Sequence, residues 1–444
     1  MKSSLSSRAL SLVCGLAAAV WLASVAGANA WGPPHAHISQ AAVELLPAWQ
    51  QPLLQDQVKP FVDRYCLYPD YFFAPDAKPY IMPSPPDVKS LLHLPAGLEQ
   101  NKLVFDFYLP RVVELFRKGE TVEAMKYFGC VTHFIEDSSC PAHMAYGETA
   151  VPAGATTLSQ IDFIRRLMIL PADVDTEFFH YRIDHCPFTL EQVRAAVKDH
   201  RPRLLGATVE EFIFNTVEQH HQMNASAGRH LIPMLQALGD RDTNRFTTHG
   251  LAAAVEGTKL LADVLHTVLC LAQQRFDATT PREVSLADYT PARGTPFAWT
   301  DRNHQGRYIL NASGSWFPKA GEPEGLGRHP LKLRMADGTV REFAKGFGVG
   351  WKTEYTFLLP PGVFQTFTVH AGNDAGLGAQ GTNTFELLLD GQPAATTGLL
   401  PGLEKPAQRL EIPLGRATNL TLRCKSDGPA SRTHGVWAEP LLRK

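Results

Sequence analysis

From residue 37 to about residue 276 the apolar positions recur three and four apart, as in AAVELLPAW, LPRVVELFRKG, TVEAMKYFGCVTHFIED, LEQVRAAVKDH and GTKLLADVLHTVLCLAQQ. That spacing lines them up on one face of a helix, so a run of amphipathic helices is predicted. The Pro-rich stretch 68–87 and the small-residue stretch 151–160 read as loops between them. Past Thr280 the period changes. PREVSLADYTPARGTPF is punctuated by proline and reads as a linker. Then come short alternating stretches, REFAKGFGVGW, YTFLLP, FQTFTVHAG, NTFELLLDGQ, RLEIPLG and NLTLRC, separated by Gly, Asn, Asp and Pro. Alternation with regular turn signals is the pattern of a β-sandwich. The predicted fold is multidomain: an all-α domain over 31–280, a linker over 281–302 and an all-β sandwich over 303–444.

Residues 1–30 stand apart. Lys2 and Arg8 precede an apolar run from Ala9 to Gly27, and Ala28-Asn29-Ala30 follows, the order of a secretory signal with its cleavage site. Cleavage after Ala30 predicts a secreted or periplasmic protein, with an uncleaved anchor as the alternative. No later stretch is long and apolar enough to span a bilayer. Six cysteines then remain, Cys66, Cys130, Cys140, Cys186, Cys270 and Cys424, none in a C-x-x-C pair, and they read as disulfides or buried thiols. With 42 Lys and Arg against 44 Asp and Glu, electrostatic capture of duplex nucleic acid or anionic membrane is not the main task.

Histidine is unevenly spread: of 17, thirteen lie between His35 and His266. In HFIEDSSCPAHM, His133 and Asp137 are four apart and share a helix face, and SSCP ends the helix and lets His143 turn toward a neighbouring ion. HYRID repeats the spacing with His180 and Asp184. Imidazole with carboxylate is a zinc-binding donor set. His220, His221 and His230 fit no such pattern and read as solvated helix residues. His185 reads as a neighbour of the site. H-E-x-x-H, G-x-S-x-G, G-x-G-x-x-G and Walker A motifs are absent, which removes zincin, serine-hydrolase and nucleotide-dependent classes.

HFIEDSSCPAH resembles the H-x-x-x-D-x-x-x-x-x-H core of the trinuclear-zinc phospholipase C and single-strand nuclease superfamily, and HYRID resembles its later H-x-x-x-D/E pair. Members ligate zinc with the α-amine and carbonyl of an N-terminal Trp, and cleavage after Ala30 leaves Trp31 first. The resemblance implies three zincs. Asp70, His93, His133 and Asp137 would hold one, with Asp63 as an alternative to Asp70. Trp31 and His35, with Asp137 bridging, would hold a second, with His37 as an alternative to His35. His143, His180 and Asp184 would hold the third. It also implies phosphodiester hydrolysis in which zinc lowers the pKa of a water, Asp137 bridges and Asp70 orients or deprotonates the attacking water. A phospholipid is the favoured substrate and single-stranded nucleic acid the alternative; Tyr71, Phe72, Phe73 and Tyr80 suit the mouth of either site. A third reading is a glycan- or surface-binding protein with structural zinc.

The second half, through FAKGFGVG, FELLLDGQ and HGVWAEPLL, resembles the NPCBM family of carbohydrate-binding-module-like sandwiches. That resemblance implies a possible glycan partner. Trp351, His434 and Trp437 are the candidates to stack on it, with core packing of Trp437 as the alternative.

Overall fold

The computed structural model describes residues 32–93, 95–143, 179–294, 331–350, 353–376, 381–427 and 433–444. They group into two compact units, one of residues up to 96 with 107–202 and 222–272, the other of 97–106, 203–221 and 273–444.

The described helices are α1 (Pro34–Glu44), α2 (Val58–Asp63), α3 (Lys78–Ile81), α4 (Pro86–Leu91), α5 (Leu98–Arg117), α6 (Thr121–Ser139), α7 (Phe179–Asp184), α8 (Leu190–Val197), α9 (Val209–Gly239) and α10 (Thr243–Gln273). Local chemistry sets several ends. Pro34 opens α1 where its missing N–H is no loss, and Thr189 with Gln192 forms a reciprocal capping box at α8. Helix α6 ends at Cys140, whose backbone is extended before the short turn Pro141–His143. The periodicity does not single out α9, which carries Pro233 in its interior and three histidines along its length.

Helix α6 is buried without interruption from Phe128 to Ser139. A helix covered all round lies in a core, so its polar side chains sit where each needs a partner. Gly129 allows the close packing: a Cβ built there would lie 2.3 Å from the carbonyl oxygen of Tyr65. Helix α10 approaches the far end, where a Cβ on Gly257 would meet the Ser139 hydroxyl at 2.5 Å. No described helix is long and apolar enough to cross a membrane. The six cysteines are all buried thiols, with no disulfide among them.

The second unit is a sandwich of antiparallel strands. One sheet has the order β1 (Glu283–Ser285), β12 (His434–Arg443), β7 (Thr366–Asn373), β10 (Gln408–Pro413), with β5 (Gly346–Gly350) also on β12. The other runs β2 (Arg293–Gly294), β6 (Thr353–Leu358), β11 (Asn419–Asp427), β8 (Thr382–Leu389), β9 (Gln392–Pro401), and β3 (Leu331–Arg334) pairs with β4 (Val340–Phe343). The stretch read as a linker therefore contributes strands: β1 pairs with β12 and β2 with β6. Pieces of two and three residues are too short for alternation to reveal them.

Inward residues of both sheets form one core, including Phe347, Phe357, Phe367, Phe385, Leu422 and Trp437. The Trp437 ring is fully buried and meets Phe385 edge to face at 5.0 Å. It is not available to stack on a sugar, which corrects its place among the glycan candidates. Trp437→Ala is expected to destabilise the sandwich by about 3–5 kcal/mol, the range for truncating a buried aromatic. Chemical denaturation followed by near-UV circular dichroism checks this, and a loss below about 1 kcal/mol would contradict the burial.

Candidate metal centre

Four elements of the first unit bring ionisable side chains to one place: α1 (His35), the turn Pro69–Tyr71 (Asp70), the bend after α4 (His93) and α6 (His133, Asp137). The i, i+4 pair on α6 closes as its spacing requires, with His133 Nε2 3.3 Å from Asp137 Oδ2. His93 Nδ1 is 3.3 Å from that same oxygen and 3.8 Å from Asp70 Oδ1. His133 Nε2 is 3.5 Å from Asp70 Oδ1 and 3.1 Å from His93 Nδ1. Ligand atoms at about 2.0–2.1 Å from a tetrahedral zinc are about 3.3 Å from one another, and these separations lie around that value.

The other oxygen of Asp137 faces a different group. Oδ1 is 3.5 Å from His35 Nε2, and both atoms are buried without a hydrogen bond. Such orphaned polar atoms are costly in a protein interior, and a cation between them removes the cost. The donor set therefore fits zinc, with one oxygen of Asp137 facing His35 and the other facing His93 and His133.

The ring orientations are fixed from behind. His133 Nδ1 donates to the carbonyl of Cys66 at 2.9 Å, His143 Nδ1 to the carbonyl of His93 at 2.7 Å, and His35 Nδ1 to Glu136 at 2.6 Å. In His133 and His35, Nε2 is then the nitrogen that faces the other candidate ligands. Burial pushes His35 down, but the Glu136 carboxylate, with Asp137 and Asp70, more than offsets it and raises its pKa to about 9, so a metal at Nε2 would displace a proton. Burial works against the Asp137 carboxylate too, yet His133 and His93 hold its pKa below the usual range. Asp70 moves the other way, raised chiefly by burial. Access is from the His93 side, where that side chain is 33% exposed while those of His133 and Asp137 are fully covered.

Of the remaining candidates, His143 follows the break after α6, with Nδ1 3.7 Å from Asp137 Oδ2. Asp184, at the end of α7, is buried and accepts from the Cys140 thiol at 3.4 Å. Trp31, Trp351 and the side chain of His180 lie outside the described residues. His434 opens β12 and is partly buried. The alternative ligands are elsewhere: His37 lies toward Phe188, and Asp63 is exposed and ion-paired with Lys59. His220, read as solvated, is buried with its ring on Phe105 at 5.2 Å. Tyr80 is buried with its hydroxyl on Glu123, whereas Tyr71, Phe72 and Phe73 are exposed.

Sequence reasoning passes over Glu136 and Ser39. Glu136 is buried and accepts from His35 and, at 2.7 Å, from the Ser39 hydroxyl. The available signal was that Ser39 lies four residues after His35, on the same face of α1.

In comparisons with known proteins, residues 300–443 match the NPCBM/NEW2 domain. No curated protein sequence matches the chain. Among solved structures, the CBM51-2 and INT domains of ZmpB from Clostridium perfringens align with 36% of this chain at 20% identity and a TM-score of 0.29. The chain spans only 31% of the length of that structure. Alpha toxin from Clostridium absonum aligns over 94% of each chain at 9% identity, with a TM-score of 0.33. Alpha-toxin from an avian strain of Clostridium perfringens aligns over 92% of this chain and 85% of its own at 11% identity, with a TM-score of 0.30. The architecture is thus a helical part, which holds the His/Asp cluster, followed by an all-β sandwich in the region that matches the NPCBM/NEW2 domain.

Proposed function

We propose that the protein is a zinc-dependent phosphodiester hydrolase of phospholipase C type. The observation that carries this reading is the pair of oxygens of Asp137, one set among His93, His133 and Asp70 and the other facing His35 Nε2. Asp70, His93, His133 and Asp137 would hold one zinc, and His35 with Asp137 and Trp31, the first residue once the chain is cleaved after Ala30, a second. His143, His180 and Asp184 would hold a third. Zinc bound in such a set lowers the pKa of water toward neutrality and neutralises phosphate oxygens. The chain's own groups then do the rest. The buried histidines keep their Nδ1 protons on Glu136, Cys66 and His93, so the ligand nitrogens are oriented before substrate arrives. Asp70, adjoining His93 at the more open side, orients the attacking water.

A phospholipid is favoured over nucleic acid because Tyr71, Phe72 and Phe73 follow Asp70 directly and are exposed, with Phe73 at 77%. Large apolar side chains at the water boundary suit an acyl or glycerol surface. The NPCBM/NEW2 region supports a tethering role on a glycan.

The test is hydrolysis of a chromogenic phosphocholine ester and of single-stranded DNA, each before and after chelation and after zinc is restored. Ester hydrolysis lost on chelation and regained with zinc is expected. Degradation of DNA alone favours the nuclease alternative. Full zinc content with neither activity would overturn catalysis and leave a glycan-binding protein with structural zinc.

A further inference from the structure

We infer that Glu136 is a positioning residue for the metal centre, acting through His35; the inference rests on the zinc reading above. Ionised, its carboxylate is an acceptor only. With Oε2 2.6 Å from His35 Nδ1, it obliges that nitrogen to carry the proton. The other nitrogen, Nε2, is then the basic one, and it is the atom that lies buried, without a hydrogen bond, 3.5 Å from Asp137 Oδ1. The second oxygen of Glu136 is occupied by the Ser39 hydroxyl at 2.7 Å. Two side chains one turn apart on α1 thus clamp one carboxylate of α6, which fixes both the rotamer of His35 and the register of α1 against α6.

A fully buried carboxylate with these two partners among the described residues is expensive to maintain. A cation opposite Nε2 accounts for the charge. The carboxylate would then act on a metal held at Nε2 by fixing the tautomer and orientation of the His35 ring. Partners of this kind are worth about 10–100-fold in metal affinity.

The role is one of geometry and hydrogen bonding, which distinguishes it from bulk charge. Glu136→Gln keeps an acceptor oxygen within reach of Nδ1 but removes the charge. Glu136→Asp keeps the charge but withdraws the oxygens by one methylene. Glu136→Leu removes both. Zinc affinity of the full chain would be measured by competition with a chromophoric chelator. The His35 Nδ1–H would be observed in long-range proton–nitrogen spectra of the zinc-loaded, histidine-labelled protein, assigned with His35→Gln.

The expected result is near wild-type zinc affinity, within about threefold, for Glu136→Gln. For Glu136→Asp and Glu136→Leu the expected loss is about 10–100-fold at one site, with the protected Nδ1–H signal gone. If Glu136→Leu does not fold, the order of the Gln and Asp variants decides. Asp near wild type with Gln weakened would overturn positioning in favour of charge alone. Wild-type affinity and an unchanged Nδ1–H in all three would overturn any link from Glu136 to the metal. Wild-type protein that binds no zinc would overturn the zinc reading itself, an outcome visible before any variant is made.

Discussion

Asp137→Ala is expected to lose at least one zinc per chain and essentially all hydrolytic activity. Among the described residues, the carboxylate is the group within 3.5 Å of both His35 and the His93–His133 pair through different oxygens. Its loss removes a ligand from two positions together. Taking away one stabilising donor from an active site commonly costs about 10²–10³-fold in rate, and removing a shared metal ligand is expected to exceed that. The fold survives in this expectation, because Phe128, Val131, Phe134 and Ile135 keep α6 buried in the core. Asp137→Asn, which keeps the shape, serves as the folding control. Metal content by elemental analysis and turnover of a chromogenic phosphodiester are the measurements. Normal zinc stoichiometry in Asp137→Ala would remove the bridging assignment.

Gly129→Ala is expected to damage the same centre from one helical turn away. The added Cβ would lie 2.3 Å from the Tyr65 carbonyl oxygen and 2.5 Å from its carbon. Both are backbone atoms, so no side-chain rotation relieves the clash and the turn Tyr65–Leu67 must move away from α6. That turn supplies the Cys66 carbonyl to His133 Nδ1 at 2.9 Å and leads into the turn that carries Asp70. Overpacking of this kind costs about 1–3 kcal/mol. A displacement near 1 Å in a catalytic group costs about 10²-fold in rate. Lower zinc occupancy, a fall of about 10²-fold in kcat/KM and a modest drop in Tm are expected together. Unchanged kcat/KM would mean that the contact between the turn and α6 does not set the geometry of His133.

The sequence by itself determined the parts of this protein that depend on local spacing. The three-and-four periodicity predicts α1, α5, α6, α8 and α10, and period-two alternation predicts the sandwich strands, because each element must turn one face inward. The four-residue interval between His133 and Asp137, and the helix break before His143, follow from helical geometry and proline alone. What lies beyond local spacing was decided by tertiary structure. His35 rather than His37, and Asp70 rather than Asp63, face α6, because the direction in which α1 and the turn at Pro69 dock is set by packing. Glu136, beside the expected ligand, shows a role only once α1 lies against α6 and puts Ser39 and His35 on its two oxygens. Trp437, a glycan candidate with core packing as its alternative, is core because β12 turns that position inward onto Phe385. The short strands β1 and β2 likewise exist only through their pairing with β12 and β6. Helical spacing and alternation are properties of one segment, whereas ligand choice, second hydrogen-bond partners and burial depend on which segments meet.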